Sequence, residues 1–145
     1  MANNITTKNR EVVELAKRIV RKANAEHRRI DLRQLCREVR MCRPTHFYVN
    51  YDRAALILHN IERYGDEPAM LNEEIRAMWF DLYAQVKEIM RLRPKLTFPQ
   101  ALTQALFYSR PKRFYMSEET IRRLITRHFC YVLAPADDFN TKQFC

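Results

Sequence analysis

Arg43-Pro44-Thr45-His46-Phe47-Tyr48-Val49-Asn50 and Arg110-Pro111-Lys112-Arg113-Phe114-Tyr115-Met116-Ser117 are two versions of one phrase, 67 residues apart. Arg, Pro, Phe and Tyr are identical at matching places, and Val/Met and Asn/Ser are conservative pairs. The offset continues on both sides. Ala54, Ile57, Leu58 and Ile61 match Ile121, Leu124, Ile125 and His128, the i, i+3, i+4, i+7 positions of one helical face. Upstream, Leu35 and Val39 match Leu102 and Leu106, while Val12, Leu15 and Ile19 match Trp79, Leu82 and Val86. A shared period of this length predicts a duplicated supersecondary unit.

Each unit reads as three helices. In the first, helix A covers about 9–25. Helix B is capped by Asp31, with Gln34 three residues on, and ends by Cys42 because Pro44 disfavours helix at Arg43. Helix C starts at the cap Asn50 and stops at Gly65. In the second, helix A runs from the cap Asn72 to Leu92, and helix B starts at Thr97, with Gln100 completing a capping box. Helix C starts at Ser117, carries Glu118 and Glu119 in its first turn, and runs to about Val132. Caps Asp31 and Thr97 lie 66 residues apart, so a one-residue slip sits there. The expected fold is all-α, a tandem duplication of a three-helix unit with about six helices packed as one compact domain. The expected divisions are 1–67, 68–133 and a polar tail at 134–145.

Composition agrees with helices. The chain of 145 residues holds one Gly and six Pro, too few glycines for the tight turns of a β-rich fold. No apolar run reaches the ~18 residues of a membrane span, and Met1–Arg10 lacks a signal-peptide core. A cytoplasmic setting, or a virus particle assembled in the cytoplasm, is expected. Cys36, Cys42, Cys130 and Cys145 form no Cys-x-x-Cys pair, and Cys36, Cys42 and His46 lack structural-zinc spacing, so no metal is expected.

Within the repeated phrase, proline forces the preceding arginine into an extended path. Neighbours in such a path point opposite ways, so Phe47 and Phe114 are expected inside. Pro44, Phe47, Tyr48, Pro111, Phe114 and Tyr115 are the expected structural anchors. Val49–Ala54 and Met116–Ile121 have the spacing of a hydrophobic staple. The alternative for Tyr48 or Tyr115 is an exposed ring that stacks on a base or a partner.

Net charge is +9, concentrated in two segments. Residues 17–43 carry ten basic against three acidic side chains, and so do residues 87–127. Arg33, Arg37 and Arg40 form a stripe along the first helix B. Arg110, Lys112, Arg113, Arg122, Arg123 and Arg127 lie on the second turn and helix C. Basic side chains on a turn before a helix N-terminus suit phosphate, so these nine residues are the candidate nucleic-acid contacts. The second helix B, 98–108, carries no charge, which points to burial or to contact with a protein partner or second copy.

The turn Arg110–Ser117 with its basic helix, and more faintly 43–58, resembles one in small uncharacterised helical proteins of gut bacteria, their mobile elements and phages. That resemblance implies a mobile-element or virus-related setting and transfers no catalytic or binding residue. No P-loop, dinucleotide, zincin or nucleophile-elbow motif occurs, and one glycine cannot build a phosphate-cradling loop. A non-enzymatic, cofactor-free nucleic-acid-binding accessory protein, DNA foremost, is the expected function. The alternative is an assembly or adaptor module, for example a phage virion structural component.

Overall fold

A computed structural model describes residues 4–66 and 72–129. Among these residues there are six helices and no strand: α1 Asn4–Ala25, α2 Leu32–Arg40, α3 Tyr51–Tyr64, α4 Glu73–Leu92, α5 Phe98–Tyr108 and α6 Glu118–Phe129. The tail at 134–145 and the last residues expected for the sixth helix lie outside the described residues.

Local signals set the helix starts. The Asp31, Asn50 and Asn72 side chains accept from the backbone amides of Gln34, Arg53 and Glu74. Thr97 and Gln100 close a reciprocal capping box, with Pro99 in the first turn. Ser117 Oγ accepts from the Thr120 amide. Gly65 ends α3 in the left-handed conformation, φ 77°. The α1 helix begins earlier than expected, at Asn4 rather than near Asn9.

The helices sort into two compact units. Unit 1 comprises residues 1–42 and 116–145, so among the described residues it holds α1, α2 and α6. Unit 2 comprises 43–115, with α3, α4 and α5. The expected cut at 67/68 therefore does not separate these units. The third helix of each sequence half has changed places: α6 packs on α1 and α2, and α3 packs on α4 and α5. The physical reason is the extended path before each third helix, which carries the chain away from the pair it follows.

In unit 1 the buried apolar residues include Val12, Ala16, Val20, Leu35, Val39, Ile121 and Ile125. In unit 2 one cluster joins Phe47, Ile57, Leu58 and Ile61 to Trp79, Leu82, Val86, Leu102 and Ala105. Burial follows the 67-residue offset: Phe47 and Phe114, Ala54 and Ile121, Ile57 and Leu124, Leu58 and Ile125 are all buried. His128 departs from it. Expected on the apolar face, it is exposed in the last turn of α6.

Candidate nucleic-acid interface

The nine candidate residues fall into two groups. Arg110, Lys112 and Arg113 belong to unit 2 and are largely tied into its architecture. Arg33, Arg37, Arg40, Arg122, Arg123 and Arg127 belong to unit 1.

The two copies of the repeated phrase clasp each other in unit 2. Arg43 Nε donates to the Pro111 carbonyl (3.0 Å) and Nη2 to the Arg110 carbonyl (2.9 Å). Reciprocally, Arg110 Nε donates to the Pro44 carbonyl (2.9 Å) and Nη2 to the Arg43 carbonyl (2.8 Å). Each planar guanidinium spans two successive carbonyls, a fork that a lysine cannot reproduce. Pro44 and Pro111 are buried in this crossing. Proline lacks an amide donor, so neither buried proline leaves an N–H in this crossing that would need a partner.

The second crossing is also gripped from α4. Asp81, 7% exposed, accepts from the Lys112 amide (2.9 Å) and the Tyr115 hydroxyl (2.7 Å) through Oδ2. Its Oδ1 accepts from Gln85 Nε2 (2.8 Å), which also donates to the Arg110 carbonyl (2.9 Å). Burial, and next the bond to Asp81, push the Tyr115 phenol above its ordinary range. Arg113 pairs with Glu74 at 2.7 Å, donates to the Phe114 carbonyl, and lies 4.4 Å over the Tyr115 ring. Tyr115 is held by Asp81, and Tyr48 shares a hydrogen bond with Thr45. Of the anchors, Phe47, Phe114, Pro44 and Pro111 are buried and both tyrosines are half-buried.

The 67-residue counterparts of Asp81 and Gln85 are Glu14 and Arg18, both exposed on α1. Asp81 and Gln85 are functional to the fold and were not singled out from sequence. The signal is there: Asp81 is the sole charged residue between Arg76 and Lys87, and a lone carboxylate in an apolar run must find donors.

In unit 1 the packing of α6 against α2 joins the two remaining arginine sets. Arg33 and Arg122 line the same hollow of about 360 Å³, with Leu32, Cys36, Glu118 and Glu119. Arg37 pairs with Glu118 at 3.5 Å across the two helices. Arg122 is bidentate to Glu119, and Arg123, 71% exposed, reaches the same carboxylate at 3.4 Å. Arg127 is exposed further along α6. Arg40 is the exception. It is half-buried and donates to the Met116 carbonyl (3.0 Å), fastening the start of α6. Burial, and next the charge of Glu118, push the Cys36 thiol up to about 11, which keeps it protonated and poorly nucleophilic near neutrality.

Against protein-family models, curated proteins and solved structures, the chain matches none.

The α1 helix adds Arg10, Arg18, Arg21 and Lys22, all exposed. Counted over its described residues, unit 1 holds fourteen Lys and Arg against seven Asp and Glu. Its exposed ion pairs are each worth only ~0–1 kcal/mol, so an incoming polyanion displaces the carboxylates at little cost. Among the described residues no group of His, Cys, Asp and Glu could hold a metal ion, and no helix is long and apolar enough to cross a membrane.

The uncharged α5 is divided. Ala101, Leu102 and Ala105 are buried, whereas Phe107 and Tyr108 are 67% and 82% exposed. With Pro99, Gln100, Thr103 and Gln104 these rings line an open hollow of about 450 Å³.

Proposed function

We propose that the chain is a non-enzymatic nucleic-acid-binding accessory protein whose contact surface lies on unit 1. One observation carries this reading. Arg33 and Arg37 on α2, and Arg122, Arg123 and Arg127 on α6, come from opposite ends of the sequence, yet stand on helices that pack together. With the exposed cations of α1 they make unit 1 rich in exposed positive charge, which suits a phosphate binder. Arg110, Arg113 and Arg40 are fold-holding residues in this reading.

Fluorescence anisotropy with labelled DNA, at several salt concentrations, tests it. Micromolar binding is expected, with log K falling by roughly 0.9 per phosphate neutralised for each unit of log salt. Arg33→Ala and Arg123→Ala each reduce the slope by about one phosphate contact. No binding at low salt would reject the reading.

A second reading, an assembly module, is favoured by the exposed Phe107 and Tyr108 on an uncharged helix. If it holds, light scattering on the full chain shows an oligomer that Phe107→Ser with Tyr108→Ser converts to monomer. A monomeric parent chain at high concentration would count against self-assembly.

A further inference from the structure

We infer that the two sequence halves, 1–67 and 68–133, are a pair of interlocking subunits: each is the other's binding partner, and each prefers the other to a second copy of itself. The docking surfaces are the α1–α2 pair, which takes α6, and the α4–α5 pair, which takes α3.

Reciprocity is the first support. Arg43 bonds the carbonyls of residues 110 and 111, and Arg110 bonds those of residues 43 and 44. Shifted by 67 residues, one set of bonds becomes the other. A contact in which residue i meets j and j meets i is the isologous contact of a two-fold dimer, made here inside one chain. The exchange of third helices is the second support. Ile57, Leu58 and Ile61 of the first half are buried in unit 2, and Ile121 and Ile125 of the second half are buried in unit 1. A half parted from the other would expose both a docking surface and the helix that fills the other's surface.

Side-chain size sets the preference. The cluster of unit 2 combines the small Ala54 on α3 with the large Trp79 on α4. The equivalent places in unit 1 hold Ile121 on α6 and Val12 on α1, both fully buried. A small residue on the third helix thus accompanies a large one on the first, and a larger one accompanies a smaller one. Two copies of the first half would combine Ala54 with Val12 and leave a void. Two copies of the second would combine Ile121 with Trp79 and overfill the same place. The Arg-Pro clasp is identical in both halves, so it adds strength without choosing the partner. The core chooses.

The test starts from the folded full-length chain. A site for a sequence-specific protease is inserted between Glu67 and Pro68, and the chain is cut there after folding. The cut protein is expected to elute at micromolar concentration as one species with the size and helicity of the uncut chain. After unfolding in urea and refolding, native mass spectrometry should show the one-to-one complex in about tenfold excess or more over dimers of either fragment, because the void and the overfilled place each destabilise the wrong pair. Fragments that separate on cutting would overturn the inference, since each half would then not be the other's partner. Dimers of a single fragment at their statistical share would overturn the preference that the core sizes are argued to set.

Discussion

A fragment of residues 43–115 is expected to fold by itself, with high helicity and one cooperative thermal transition, whereas residues 1–67 are expected not to form a stable monomer. The first fragment is all of unit 2. It retains the cluster that joins Phe47, Ile57, Leu58 and Ile61 of the first sequence half to Trp79, Leu82, Val86 and Leu102 of the second. The second fragment keeps α3 but removes α4 and α5, against which α3 packs, and removes α6 from α1 and α2. Ile57, Leu58 and Ile61 alone then lose ~1.5–3 kcal/mol each, together about as much as the ~5–15 kcal/mol that separates folded from unfolded domains. Circular dichroism with sedimentation on both fragments checks this. A stable, monomeric 1–67 fragment would mean that α3 can serve α1 and α2 directly.

The second large effect is at Asp81. Alanine there leaves the Lys112 amide and the Tyr115 hydroxyl without their acceptor in a part-buried setting and frees Gln85 from its carboxylate partner. Each stranded donor costs ~1–3 kcal/mol, so Asp81→Ala is expected to lose about 2–5 kcal/mol. Urea denaturation should show a lower midpoint with an unchanged slope. Tyr115→Phe, by contrast, should cost about 1 kcal/mol in the parent chain and close to nothing once Asp81 is gone, the signature of a shared interaction. A loss below about 1 kcal/mol in Asp81→Ala would sink the view that this carboxylate fastens the second crossing.

Much of the local structure was legible in the sequence, because it is decided by chemistry within one turn of helix. Asp31, Asn50, Asn72 and the Thr97–Gln100 box all cap the helices expected of them, and Gly65 closes α3. Phe47 and Phe114 are buried, as alternation in an extended segment requires.

The partners of those helices were not legible. Periodicity says that Ile121, Leu124 and Ile125 share an apolar face. It says nothing of whether α4 and α5 or α1 and α2 will cover that face. The same limit applies to charge. Arg110 on a turn reads like a solvated cation, and only the return of Arg43 to the same place turns it into half of a reciprocal clasp. Conversely, Arg33 and Arg122 lie 89 positions apart and share one hollow only because α6 crosses back.

The exchange of third helices is what brings those two arginine sets together, so the functional proposal depends on it. Methyl–methyl nuclear Overhauser contacts in the intact, uniformly labelled chain test it most directly. Strong contacts are predicted from the Ile121, Leu124 and Ile125 methyls to those of Leu35 and Val39 on α2 and Val12 on α1. Contacts from those three α6 residues chiefly to Ala101, Leu102 and Ala105 of α5 would contradict it and restore the sequence halves as the packing units.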